Sequence, residues 1–174
     1  MNLNFSRINL NEFFGCCDAT NTKEMKSNTF KTFRTYLQER SFAKWSDNQV
    51  RYVGDHMDGV DFIGDDETPY EMKGSLKLFN QNGSTKVIVL KNFRGESKNV
   101  KKTFEYMFLV DTERMSIAYT DWETCAKRVY YTPSSSDAKV KFVPGDFTML
   151  ATNIEPAPKS ITASDILDGV ERIL

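Results

Sequence analysis

Apolar positions along the 174 residues form two helical patterns, then a series of short strand-like runs. Leu10, Phe13 and Phe14 predict a short first helix ending at Gly15. Phe30, Phe33 and Leu37 recur at helical spacing beside Tyr36, which predicts a longer helix over 23–44. Its other faces carry Lys31, Arg34, Glu39 and Arg40; the aromatic stripe reads as core and Glu39 as a solvated or ion-paired side chain. Residues 60–63 are an apolar run broken by one acid, and 64–69 are a turn rich in Gly, Asp and Pro. A second strand starts at 70–73 and continues through Leu76 and Leu78. Asn82-Gly83 signals a hairpin turn, and 87–90 reads as a buried strand. Residues 94–102 are polar and basic, a loop or a short helix.

Further on, 104–110 and 115–119 predict two more strands. Thr120 and Glu123 form a capping box for a helix that ends before Pro133. A late hairpin is expected from 140–143 and 147–151. Pro156 and Pro158 then mark a linker before an amphipathic helix bearing Ile166, Leu167, Val170, Ile173 and Leu174. The sum is an α/β (α+β) chain with a central mixed sheet flanked by helices. Its length fits one domain over 1–174, with N-terminal helices in 1–45, a sheet region in 58–152 and a terminal helix in 159–174.

Composition narrows the chemistry. A hydrophobic share of 40% with thirteen Phe argues a folded globule. No apolar run reaches membrane-spanning length and the first residues lack a signal-peptide pattern, so a cytoplasmic location is expected. Cys16, Cys17 and Cys125 make neither a disulfide framework nor a zinc ligand set, and read as reduced, partly buried thiols. His56 is the single histidine, which excludes a histidine-rich metalloprotease or nuclease site. It reads as held by neighbouring carboxylates, with a phosphate contact the less favoured role. No phosphate-binding glycine loop and no nucleophile elbow is present. Carboxylate and lysine chemistry is nearly all that remains.

That chemistry has one place to gather. Side chains alternate along a strand, so Glu71 and Lys73 project from one face, and a hairpin of this length brings Asp61 alongside Glu71. Two carboxylates and an ammonium then converge. Hard oxygen ligands suit Mg²⁺ or Mn²⁺, and a lysine beside the metal can orient or deprotonate a water.

The spacing Asp61-x(9)-Glu71-x-Lys73 resembles the PD-(D/E)XK nuclease superfamily, and within it the PvuII-like type II restriction endonucleases. Val60 stands where the motif's proline would be, a frequent departure, and Asp58 precedes Asp61 by three residues, where PvuII-like members also carry an acid. The resemblance implies a restriction-endonuclease-like fold and metal-dependent hydrolysis of DNA to a 5′-phosphate and a 3′-hydroxyl. It makes Asp61 and Glu71 metal ligands, adds the Met72 carbonyl, gives Asp58 a second ion, and has Lys73 serve the attacking water.

Charge distribution bears on the partner. Residues 55–71 hold seven acids and no Lys or Arg, whereas 74–102 hold seven bases against Glu96 alone. An acidic metal pocket beside a basic surface suits a nuclease. Lys91, Arg94, Lys98, Lys101 and Lys102 are expected at phosphates. Asn80, Gln81, Asn82, Ser84 and Lys86 are candidates for base reading, with a plain polar turn an equal alternative. Double-stranded DNA is the expected partner. A homodimer through the terminal helices follows from the two-fold symmetry of palindromic sites. A junction resolvase, a nicking or defence nuclease of the same fold, and a non-catalytic DNA-binding protein are the alternatives.

Overall fold

The computed structural model describes residues 1–57, 59–75, 78–79, 88–90, 101–130 and 139–158, together with residues 164 and 167. Two helices come first, α1 (Leu10–Ala19) and α2 (Lys31–Lys44). The strands β1 (Val50–Tyr52), β2 (Phe62–Gly64), β3 (Pro69–Ser75), β4 (Ile88–Leu90), β5 (Tyr106–Asp111) and β6 (Ser116–Asp121) follow. Then come α3 (Trp122–Arg128), β7 (Val129–Tyr130), β8 (Lys139–Phe142) and β9 (Thr148–Ala151). Six strands form a mixed sheet in the order β1-β2-β3-β5-β6-β9, in which β3 and β5 are the parallel pair. A second sheet of three strands runs β4-β8-β7.

β5 is buried on both faces, and its alternation divides the core. Phe108 and Val110 join Phe13, Phe14, Cys17 and Phe42 of the two N-terminal helices. Met107 and Leu109 join Trp122 and Cys125 of α3 and Val140 and Phe142 of the second sheet. The large sheet is thus a layer between α1 and α2 on one side and α3 with the small sheet on the other.

Several elements differ from the sequence expectation for local reasons. α1 runs four residues beyond Gly15, because Gly15, Cys16 and Cys17 are all buried; that burial outweighs the roughly 1 kcal/mol a helical glycine costs. α2 begins at Lys31, not at 23. A separate turn closes at Thr22, whose hydroxyl accepts the Met25 N–H, and Ser27 is extended at ψ 154° before a 3₁₀ turn over Asn28–Phe30. The cap of α3 lies one residue later than the Thr120 box, with Asp121 accepting the Thr124 N–H at 2.7 Å. Thr120 instead donates to the Asp146 carbonyl at 2.7 Å.

The late hairpin does not form. β8 belongs to the small sheet and β9 pairs with β6 at the edge of the large one. Between them the chain swings at Gly145, where φ is 98°, and Asp146 fixes the swing by accepting the Val143 N–H and pairing with Arg128. The three cysteines are free and buried, as their spacing suggests. Apart from residues 164 and 167, the expected terminal helix over 159–174 lies outside the described residues. Among the described residues no helix is long and apolar enough to cross a membrane.

Candidate active site

β2 pairs with β3 only at its base, with Phe62 opposite Tyr70 and Ile63 opposite Pro69. The strand over 60–63 therefore sits two residues later than expected, with Asp61 in a bend. Asp61 makes the last backbone contact, donating its N–H to the Tyr70 carbonyl at 2.9 Å. Before it, the chain turns at Gly59, whose φ of 78° suits a residue without a side chain. From Met72 onward β3 keeps β5 on one side, and its other edge opens. There the Asp61 carboxylate takes the place of a strand, its Oδ2 accepting the Met72 N–H at 2.8 Å. A strand residue's C=O points to the same edge as its N–H, so the Met72 carbonyl faces that opening too.

Glu71 and Lys73 share the face of Met107 and Leu109, their register partners on β5. Glu71 is 5% exposed. Its Oε1 accepts from the Lys73 Nζ. Its Oε2 is buried with no hydrogen-bond partner. Burial, and then the charge of Glu71, push the Asp61 carboxyl up to about 7; the Met72 N–H and the Lys73 charge pull the other way and lose. Burial works against the charge on Lys73, yet Glu71, Asp61 and Glu39 together outweigh it and hold its pKa above the usual lysine value. Lys73 is consequently an ammonium at neutral pH. It can orient a water or oppose a negative charge, but it cannot take a proton in that state.

Mg²⁺ or Mn²⁺ suits this donor set. Two carboxylates withdrawn from water and close enough to hydrogen-bond when Asp61 is protonated, with Asp61 held up to about 7 by burial and by Glu71, are an arrangement a hard cation relieves. Among the described residues no group of three or more His, Cys, Asp or Glu could hold a metal. Among the described residues the candidate ligands are the Asp61 and Glu71 carboxylates, with the Met72 carbonyl beside them. Magnesium accepts that few, filling its octahedron with water and substrate oxygens.

Glu39 enters the site from α2, which sequence reasoning discounted. It is not solvated: it is 7% exposed, and its charge reaches Lys73. It also lines a cleft of about 280 Å³ on the helix side of β3. Lys31, Arg34, Thr35 and Gln38 of α2 line the same cleft, facing Met72 and Gly74 of β3. A signal for this was present, since residues 31, 34, 35, 38 and 39 form a polar stripe at helical spacing. Asp61, Glu71 and Lys73 are not part of the cleft lining. The acid pair and the cleft flank the open edge from opposite faces.

Of the expected DNA contacts, Asn80, Gln81, Asn82, Ser84, Lys86, Lys91, Arg94 and Lys98 lie outside the described residues, as does Asp58. Lys101 is exposed. Lys102 is not an uncommitted cation: its Nζ lies 2.8 Å from Glu105 and 3.7 Å from Glu123. His56 is exposed.

The chain matches no family model, no curated protein and no solved structure.

Proposed function

We propose that this chain is a Mg²⁺-dependent DNA endonuclease, a restriction-endonuclease-like enzyme cutting both strands as a homodimer. The observation that carries the reading is the convergence of the partly buried Asp61 and the buried Glu71 beside Lys73. The two carboxylates share a proton, with protonated Asp61 hydrogen-bonding Glu71, and a cation can take that proton's place. The edge of β3 gives that cation site a direction. Among the described residues no strand pairs with that edge past Tyr70, and Asp61 holds the Met72 N–H there.

In the proposed reaction Asp61 and Glu71 would hold the cation, with the Met72 carbonyl as a further ligand. When bound, Mg²⁺ lowers the pKa of a coordinated water and offsets charge on the phosphate oxygens. Lys73 donates to the attacking water oxygen, keeping its lone pair aimed at phosphorus. As the water oxygen bonds to phosphorus and the P–O3′ bond breaks, the Lys73 ammonium opposes the charge growing on the non-bridging oxygens. Glu71 keeps Lys73 in place through its Oε1. The attacking water gives up a proton to solvent as its bond to phosphorus forms, and the 3′ oxygen leaves and takes a proton from solvent, giving a 3′-hydroxyl and a 5′-phosphate.

Plasmid DNA incubated with purified protein and Mg²⁺, followed by sequencing of the ends, tests this. Linear products with 5′-phosphates are expected. Nicks or cuts confined to branched DNA would move the reading to another nuclease of the same type. Binding without cleavage in Mg²⁺ and Mn²⁺ alike would move it to a non-catalytic DNA-binding protein.

A further inference from the structure

We propose that the cleft between α2 and β3 is a subsite for the nucleotide next to the one being cut, with Lys31 and Arg34 gripping its phosphate; this rests on the nuclease reading above. The cleft, at about 280 Å³, lies at the small end of the roughly 300–1,000 Å³ seen for ligand pockets. It can take one sugar-phosphate unit, not a duplex. Lys31 and Arg34 are three residues apart on α2 and so share a face. Neither has an acidic partner among the described residues. Arg34 is braced by one hydrogen bond from Nη1 to the Met25 carbonyl at 3.1 Å, which leaves most of its five donors for a ligand.

The other wall chemistry sets where an anion can sit. Glu39 lines the same cleft and repels phosphate. It is five residues beyond Arg34, a rise of about 7.5 Å along the helix, so an anion at Lys31 and Arg34 stays clear of it. Gln38 and Thr35 lie between them and offer polar contact without charge. The cleft and the acid pair flank one open strand edge from opposite faces. A backbone crossing that edge meets Asp61 and Glu71 on one face and Lys31 and Arg34 on the other, so the cleft takes a phosphate flanking the one being cut. Base identity plays no part in this grip, so the subsite adds affinity and register without sequence preference.

The test measures binding of a fluorescent duplex in Ca²⁺ over a salt series, and cleavage in Mg²⁺, for four proteins. These are the wild type, Lys31→Ala/Arg34→Ala, Thr35→Glu and Lys127→Ala. Thr35→Glu puts a negative charge in the cleft while leaving the Arg34 brace intact, so it covers the chance that the double variant folds poorly. Lys127→Ala is a charge control on α3, across the sheet. The double variant is expected to bind about tenfold more weakly, with a salt slope lower by about two, on every sequence tested. Thr35→Glu should weaken binding as well, and Lys127→Ala should leave affinity and slope at wild-type values. If the wild type cuts but the double variant and Thr35→Glu bind like it, the subsite is wrong and the nuclease reading stands. If no protein cuts in Mg²⁺ or Mn²⁺ yet binding depends on Lys31 and Arg34, the nuclease reading falls and the cleft remains a phosphate site. If the wild type neither cuts nor binds, both fall.

Discussion

The Asp61 carboxylate accepts the backbone N–H of Met72 at 2.8 Å, filling with a side chain the position a neighbouring strand would occupy. The bond fixes a loop acid to a strand, against the repulsion of Glu71. Buried, facing Glu71 and held by one N–H, Asp61 keeps its proton to about pH 7.

A pH dependence of stability follows. The folded pKa of about 7 exceeds the ordinary aspartate value near 3.9. The stabilisation is therefore complete below about pH 4 and lost as pH rises to about 7, at most about 4 kcal/mol, shared by the pair as a unit. Asp61→Asn retains an oxygen acceptor for the Met72 N–H and removes the charge. Its Tm should exceed that of the wild type at pH 8 and match it near pH 4, by calorimetry in chelator. A lower Tm at pH 8 would show that the two carboxylates are not in conflict.

Metal binding should mirror this. Ionising Asp61 is a condition of ligation, so affinity for Mn²⁺ should fall about tenfold per pH unit below 7 and level off above it. Titration calorimetry on the wild type checks the profile, and Glu71→Gln should lose the heat of binding. Ca²⁺ should support DNA binding without turnover, and excess chelator should abolish cleavage. Extra Mn²⁺ should partly restore cleavage to Asp61→Ala, which loses a ligand along with the acceptor for the Met72 N–H.

The basic segment should act through phosphates. Alanine at Lys91, Arg94, Lys98 or Lys101 should lower the salt slope of binding by about one unit each, alike on all sequences. Lys102 is already paired with Glu105 and Glu123, so Lys102→Ala should change the slope less than Lys101→Ala. A shift in the sequence cut, with the slope intact, would instead make these residues base readers.

Asp111 is a fold determinant. It is fully buried, and its carboxylate accepts the N–H groups of Phe79, Glu113 and Arg114 at 2.9–3.1 Å. It thereby ties the chain beyond β3 to the β5–β6 turn. Asp111→Ala leaves the buried Phe79 N–H and the half-buried Glu113 and Arg114 N–H groups without their acceptor and should cost about 3 kcal/mol, measured by urea unfolding with an unchanged m-value. A loss below about 1 kcal/mol would mean water replaces the carboxylate.

The acid pair was legible because a short turn between two apolar runs constrains which side chains can meet. Asp61 and Glu71 do meet, and Lys73 joins Glu71 on the same face. The role of Asp61 as a strand substitute was not legible, since where β2 stops pairing depends on the turn at Gly59 and not on alternation. Glu39 was read as solvated or ion-paired; its burial was not legible because the aromatic stripe of α2 dominated its polar one, although both have helical spacing. β1 and β7 went unseen, and β4 and β8, expected as strands over 87–90 and 140–143, were not seen to pair with each other. Strands of two to four residues are too short to show a period, and only pairing across the fold defines them. Asp121 was passed over as a cap because Thr120 and Glu123 satisfied the same pattern one residue earlier.

Lys73→Ala, compared with the wild type in single-turnover cleavage of plasmid DNA and in DNA binding with Ca²⁺, tests the central claim most directly. The lysine should matter to the chemical step more than to ground-state binding, because the charge it opposes grows only in the transition state. Cleavage in Mg²⁺ should fall about a hundred- to thousand-fold, binding should hold, and extra Mn²⁺ should not restore the rate. Cleavage by Lys73→Ala at the wild-type rate would contradict the account, and the hairpin would then be a structural acid pair with its lysine counter-ion.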